Sequence, residues 1–575
     1  MGEAAPPIVM RRLSAAALIT IALGSAMVIQ YPHWAQTSYF LLTKALSNGT
    51  TQIDADHWQT GDKSYIGGHF YSVKAPGMSA FLVPPYVALH AVNFEKASRS
   101  FASKDRRPLA SSKPKKSGNG PTAPRTKAVS QQIKNDRLLI WALGLFGCVL
   151  PALLLLFMVR ADAERLVPGT GLPTALALGL GTMLLPFSTQ LFGHVMGAFL
   201  LYGGFHLLLR ERRGPPSLLL LLLAGLTVGF SVVAEYPLAF GGAVLGLYAM
   251  LRNEAITAGP IAVIRRALAY GGGVIMGLVP VAVYNQISFG SVSTMSYNGA
   301  VAVEGKSGHL KLGLNDSGFF GIGVPRPIAF IDILLSPRGL LSITPVCLLA
   351  FLGVLWMRRD GLKAEALAIL GVIAIYIVYV SGYWLPFGGE SPGPRFLVAI
   401  LPFLALGLPY AWRRIPAATL VLAAVSGTVM IVATVVGPLV SPHNIVNWWI
   451  RIGGDAGIAT VFTAVGVPTG VRSTVPVYLI FAVSGLLGLY ATRLPGLGSA
   501  KDLRIAGCAL LAWLLLALVI SPAIGEKKIV PGLPAQGMPW QLVLLAGCVS
   551  LVVLGLTLVR AKSVSAGSAT AEAGP

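Results

Sequence analysis

Runs of about 15 to 18 nearly uncharged, mostly apolar residues recur along the whole chain, and with its flanks each can cross a hydrocarbon core of roughly 30 Å. Residues 218–233, 339–356, 366–380, 396–410 and 542–558 are examples. In lipid the backbone of such a segment finds no water, so it must satisfy its own hydrogen bonds as a helix. Only 11% of the 575 residues are charged, too few to cover the surface of a soluble domain of this size. The expected fold is an all-α polytopic membrane protein, a bundle of about 13 to 15 helices embedded in the lipid bilayer.

A net charge of +22 would suggest nucleic acid in a soluble protein. Here the basic residues gather at segment ends: Arg210, Arg212 and Arg213, then Arg265 and Arg266, Arg358 and Arg359, Arg413 and Arg414. Cytoplasmic loops have this composition, so no nucleic-acid partner is implied. The four cysteines, Cys148, Cys347, Cys508 and Cys548, lie inside apolar segments without metal-ligand spacing and imply neither zinc nor a disulfide framework.

Arg11 and Arg12 precede an apolar stretch, and residues 30–34 offer no small-residue cleavage site. Residues 1–30 therefore read as a retained first transmembrane helix with a cytoplasmic N-terminus. A first periplasmic loop, 31–77, follows, beginning with an aromatic and aliphatic set suited to an interfacial helix. Residues 78–410 form a transmembrane core that includes a basic low-complexity insertion, 96–137, and an outer loop, 285–337. Residues 411–560 are C-terminal helices, and 561–575 a disordered tail. Residues 104–137, rich in Lys, Arg, Ser and Pro, are expected to be disordered as well. Two topological counts disagree by one crossing. Counting back from the basic loops puts 160–165 inside, whereas counting forward from the N-terminus sends 78–94 inward and leaves 96–137 inside. The twelve Lys and Arg of 96–137 favour the crossing, and the evenly basic downstream loops favour a segment lying along the membrane.

The first loop is where chemistry is expected. Asp54, Asp56 and Asp62 fall within nine residues, beside Lys74 at a helix entrance, and could set a base and an anion ligand in one cleft. A solvated polar loop with Lys74 snorkelling to the interface is the structural alternative. The long outer loop, with Tyr297, Glu304, Lys306, His309, Lys311 and Asp316 among glycines, suits a mobile cover or a disordered connection. Trp384, Trp448 and Trp449 suit an aromatic belt better than sugar stacking.

The string Gly68-His69-Phe70-Tyr71-Ser72-Val73-Lys74-Ala75-Pro76-Gly77, with Asp54 and Asp62 upstream, resembles the first periplasmic loop of bacterial GT-C superfamily glycosyltransferases. The branch it is similar to is related to glycosyltransferase family 39, the protein mannosyltransferases and aminoarabinose transferases. Leu334-Leu335-Ser336-Pro337-Arg338-Gly339-Leu340 and Gly388-Gly389-Glu390-Ser391-Pro392-Gly393-Pro394-Arg395-Phe396 match the same branch. Leu191-Phe192-Gly193-His194 and Glu235-Tyr236-Pro237 match it more weakly.

The resemblance implies a GT-C-like bundle and a polyprenyl-phosphate sugar donor, with an acceptor of unknown identity (lipid, glycan or protein). Displacement at the anomeric carbon needs a carboxylate as general base and cations on the departing phosphate. Lys74 stands where related transferases keep a phosphate-contacting lysine. Arg338 and Arg395, at helix mouths, are further phosphate contacts by this reading, with interface anchoring as their other role. The family's early acidic residue is missing, Gln36 lying in roughly that region, so base candidacy passes to Asp54, then Asp62, then Asp56. His69, Tyr71, His194, Glu235 and Glu390 are candidate substrate contacts, with a structural role for His194 as its alternative. No cofactor is implied, and a monophosphate donor makes a divalent cation less necessary while leaving it open. A transporter or flippase of lipid-linked sugars is the rival function. It would call for inverted repeats and ionisable residues in mid-helix, whereas here no internal repeat stands out and the ionisable residues concentrate in outward loops.

Overall fold

The computed structural model describes residues 8–104, 116–117, 120–121, 127–297, 322–439, 458–492, 494, 497–524 and 537–572. Helices dominate, joined by two-residue to four-residue strands in three small hairpin-like pairs. Among the described residues, eight helices are long and apolar enough to cross a membrane. Two bent helix pairs raise that to ten, and Gly171–Gly181, Leu218–Ala234 and Leu238–Met250 are shorter apolar helices.

Helix α1 (Ile8–Ala26) leads into β1 (Val28–Ile29), and α2 (Trp34–Ser47) follows. The expected interfacial helix is instead packed on every side, since residues 35–43 of α2 are all buried. Its polar residues Gln36, Ser38 and Thr43 face other elements and lipid would not satisfy them. Then come β2 (Lys63–Ile66) and β3 (His69–Ser72), and three short helices: α3 (Pro76–Phe81), α4 (Val83–Ala91) and α5 (Phe94–Lys104).

This run bears on the topological conflict. Pro84 and Pro85 sit in the first turn of α4, where they supply no backbone N–H, so α3 cannot run on into α4 as one spanning helix. The chain stays at the end of the bundle where α1 finishes. Phe101 of α5 clusters with Ile29, Leu138 and Ala459, and Lys104 Nζ donates to the Ala464 carbonyl. Residues Lys127–Gly144 (α6) pass through a π-helical turn, Leu145–Val149, into α7 (Leu150–Leu166). Arg137 of α6 donates to the carbonyls of Ile29 and Gln30, while Leu156 of α7 and Ile21 of α1 both close on the Cβ position of Gly179. The α6–α7 helix thus runs back past α1, whereas Phe101, beyond 78–94, still packs beside the end of α1. Residues 127–137 are helical, so the expected disorder of 104–137 stops short of them. Their apolar Ile133 and the buried Lys134 and Arg137 dock against neighbouring elements.

Helices α8 (Gly171–Gly181) and α9 (Leu184–Ser188) precede α10 (Gly193–Arg213) and α11 (Leu218–Ala234). Helices α12 (Leu238–Met250), α13 (Asn253–Thr257) and α14 (Pro260–Phe289) complete this half. At about 1.5 Å per residue, α10 carries the chain about 30 Å, from His194 at one end to Arg213 at the other. At that far end Glu211 accepts from both Arg252 and Arg266, and Asp360 accepts from Arg413 and Arg414. Helices α11 and α14 interlock through Gly225 and Gly229 on one side and Gly273 and Gly277 on the other. A Cβ at any of these four would fall within 2.5 Å of a backbone oxygen of the facing helix. Such small-xxx-small seams let backbones pack where lipid gives no hydrophobic drive for association. The opposite face of α14 exposes Ile264, Leu268, Ile275, Val279 and Val283, the surface a lipid-facing helix presents. The last helix, Trp540–Glu572, runs on through most of the expected disordered tail. Residues 561–572 are rich in alanine and free of proline, so nothing in them stops a helix.

Candidate active site

Gly67 (φ 59°) and Gly68 (φ 91°) turn the chain between β2 and β3, and a two-residue turn with both φ positive is one that glycine adopts without cost. The turn sets the register, pairing Ile66 with His69 and Lys63 with Ser72. One step further out, Val73 N donates to the Asp62 carbonyl. That register brings together two side chains twelve positions apart: Lys74 Nζ lies 2.5 Å from Asp62 Oδ2, and each side chain is only 11% exposed. Ser38 of α2 braces the pair, its hydroxyl 2.6 Å from the Asp62 carbonyl and 2.7 Å from Ser72 Oγ.

The first-ranked base does not share this cleft. Asp54 sits at the hairpin tip, its carboxylate bonded to His69 Nδ1 (2.7 Å) and to the Phe70 amide (2.6 Å). From Phe70 to Lys74 is four residues of extended chain, roughly 13 Å. Asp54 and His69 are both exposed there. Asp56 is bound to Lys44 at 2.7 Å and accepts from Gln59. Tyr71 is buried edge-on against Phe289, ring centroids 5.0 Å apart, and serves packing. Outside the hairpin base Asp54, His69, Asp56 and Tyr71 thus meet partners other than Lys74.

Beside the hairpin, His57 stacks on Phe70 at 3.7 Å and its Nδ1 and carbonyl each lie 3.0 Å from Lys63 Nζ. Burial, reinforced by the Lys63 ammonium, pushes the His57 imidazole down to about 4, and burial pushes Lys63 down to about 8. With a folded-state value below the ordinary 6.5, His57 supports the loop fully above pH 6.5, and that support is lost as pH falls toward 4. Acidification from pH 7 to pH 4.5 should therefore loosen this loop reversibly. Trp58, whose ring centroid is 4.1 Å from that of His57, is the reporter. A Trp58 emission change absent in His57→Gln is the expected outcome, and flat emission through this range contradicts it.

The second part of the site stands where α10 starts and α11 ends. Gly77, three residues after Lys74, packs on the Val233 backbone: a Cβ there would come within 2.7 Å of the Val233 carbonyl. Two residues on, Glu235 caps α11, and a Cβ on Gly193 would meet Glu235 Cγ at 2.8 Å and the Tyr39 hydroxyl at 2.9 Å. His194 Nδ1 bonds Glu235 Oε2 at 2.7 Å. The His194 ring is buried among Phe187, Phe192 and Phe396, and its Nε2 has no hydrogen-bond partner. Tyr39 was not singled out from sequence. Its signal is a polar series, Gln36, Ser38, Tyr39 and Thr43, inside an apolar stretch. Burial first, then the Glu235 carboxylate, raise the Tyr39 phenol well above its ordinary value, so it stays a hydrogen-bond donor.

The two arginines part company. Arg338 is fully buried, its guanidinium donating to the carbonyls of Gly389 (3.2 Å) and Ser391 (2.7 Å) and lying over the Phe387 ring. Through Nη1 it braces the 386–393 turn. Arg395 lies over Phe192 and Phe396, at 5.2 and 5.5 Å, and forms no ion pair or hydrogen bond among the described residues. Its stem passes beneath Gly388 (φ 74°), where a Cβ would come within 2.3 Å of Arg395 Nε. Glu390 points the other way and pairs with His33 at 2.9 Å, tying this turn to the start of α2. Among the described residues no three His, Cys, Asp or Glu side chains cluster closely enough to hold a metal ion. Glu304, Lys306, His309, Lys311, Asp316, Trp448 and Trp449 lie outside the described residues.

Fold and site together define a polytopic helical membrane protein with two cations, a carboxylate and a phenol gathered at one end of its bundle. No protein-family model and no curated protein matches the chain. Among solved structures it is similar to ArnT from Cupriavidus metallidurans, an aminoarabinose transferase of the GT-C superfamily. With ArnT bound to undecaprenyl phosphate the TM-score is 0.44 at 14% identity, over 92% of this chain and 80% of that one. With apo ArnT it is 0.42 at 13% identity, over 95% and 76%.

Proposed function

We propose that this protein is a membrane glycosyltransferase that moves a sugar from a polyprenyl-phosphate donor to a cell-envelope acceptor. Arg395 carries the reading: a guanidinium held in place by aromatic rings, with no carboxylate neutralising it among the described residues, is poised for an anion brought by a substrate. Lys74 stands near the same His194 ring as Arg395, which supports a second cation on that anion. As the anomeric bond to phosphate breaks, charge grows on the departing oxygens, and two preorganised cations stabilise it. The lipid tail of such a donor finds apolar helices immediately beside the cleft. Basic clusters gather at the opposite end of the bundle, which supports an outer-face site, the basic 96–137 segment being the exception to that charge pattern.

The test is an assay of purified protein in lipid nanodiscs with radiolabelled polyprenyl-phosphate pentoses and hexoses and an envelope extract as acceptor. Transfer with release of polyprenyl phosphate is expected, and Arg395→Ala should lower kcat/KM about 100-fold. A wild-type protein that translocates lipid-linked sugar across proteoliposomes, and transfers none, would establish the flippase function instead.

A further inference from the structure

The carboxylates around the cleft differ in what they are bound to. Asp54 is paired with His69, Asp56 with Lys44, Asp62 with Lys74 and Glu390 with His33. Glu235 is held by one bond only, from His194 Nδ1 to Oε2. Its Oε1 takes no hydrogen bond among the described residues and is not sealed from solvent, the side chain being 14% exposed. The histidine that holds it stands in a cage of three phenylalanine rings with Arg395 and Lys74 nearby, and Glu235 is its one side-chain hydrogen-bond partner among the described residues. The His194 bond fixes Oε2 and leaves Oε1 open. The phenols of Tyr39, Tyr297, Tyr376 and Tyr379 lie near Glu235 as well.

Resting on the transferase reading above, we infer that Glu235 is the general base that activates the acceptor hydroxyl, with His194 as its positioning residue. Glu235 Oε1 takes the acceptor proton as the acceptor oxygen bonds to the anomeric carbon. The anomeric C–O bond to phosphate breaks, its electron pair stays on the phosphate oxygen, and polyprenyl phosphate departs with one more negative charge. Lys74 and Arg395 receive that charge, so the negative charge lost by Glu235 reappears where the cations are. The Gly77–Val233 and Gly193–Glu235 contacts hold base and cations on adjoining backbone, as a concerted displacement requires.

The experiment compares wild type with Glu235→Gln, Glu235→Ala and His194→Gln in the same nanodisc assay, with undecaprenyl phosphate binding measured in parallel. Glu235→Gln, which can still accept from His194, should lose about 10²- to 10⁴-fold in kcat and keep undecaprenyl phosphate affinity near the wild-type value. Sodium formate should restore part of the activity of Glu235→Ala, a rescue that a purely structural glutamate does not show. His194→Gln should lower kcat about 10-fold and move the acidic limb of the pH profile, leaving KM for the donor little changed. The base role is overturned if Glu235→Gln stays near wild-type turnover, or if it loses lipid-phosphate binding along with activity. Both of those outcomes leave the transferase reading standing, whereas an inactive wild type removes that reading and the base role with it.

Discussion

Lys74→Met is expected to lower kcat/KM about 10²- to 10³-fold, a loss of roughly 3 to 4 kcal/mol of transition-state stabilisation. Methionine keeps the length of the side chain and removes the charge, so what is lost is the cation at the departing phosphate. Asp62 holds that ammonium from the other side at 2.5 Å, and Asp62→Asn should cost less, about 10-fold, by releasing a lysine that is still charged. Asp54→Asn, at the exposed hairpin tip, should stay within about threefold of wild type. Transfer assays on the three variants decide between hairpin base and hairpin tip. Equal damage from Asp54→Asn and Lys74→Met would place the chemistry around Asp54 and overturn the assignment.

The contrast between Asp54 and Asp62 also marks how far the sequence could be read. Composition and segment length are enough for a helical membrane protein, because lipid leaves the backbone no other choice. The lysine was legible as a residue at a helix entrance, but its partner depended on strand register. That register was itself written in Gly67-Gly68: counting outward from a two-residue turn pairs Ile66 with His69 and carries Asp62 toward Lys74. Pro84-Pro85 likewise marked the break between α3 and α4. Arg338 and Arg395 could not be told apart in the same manner. Both precede apolar segments, and only the fold shows that Arg338 Nη1 donates to carbonyls some fifty residues downstream. Glu235 was visible as a carboxylate between two apolar spans. Its distinction, a single hydrogen bond and an open Oε1, is a property of packing.

The position of Glu235 rests in turn on a seam that was legible and went unread. Residues 225–229 of α11 and 273–277 of α14 are each a Gly-x-x-x-Gly string, and α11 ends at Ala234, next to the carboxylate. A Cβ at Gly225 would lie 2.0 Å from the Tyr270 carbonyl oxygen, and one at Gly273 would lie 2.1 Å from that of Leu222. Backbone atoms cannot rotate aside as a side-chain tip can, so any side chain here must push the helices apart. Gly225→Leu should therefore destabilise the protein by about 3 kcal/mol or more, the upper range for overpacking, and lower transfer further by moving the end of α11. Gly272 lies on the same helix as Gly273 but opens onto space, with nothing within 4 Å of its Cβ position. Gly272→Ala should then be neutral, or stabilising by up to about 1 kcal/mol through helix propensity. Thermal unfolding in detergent and the yield of monodisperse protein measure both. If Gly225→Leu unfolds at the same temperature as Gly272→Ala, close backbone packing is not what fixes α11, and the placement of Glu235 must come from the His194 bond and the loop alone.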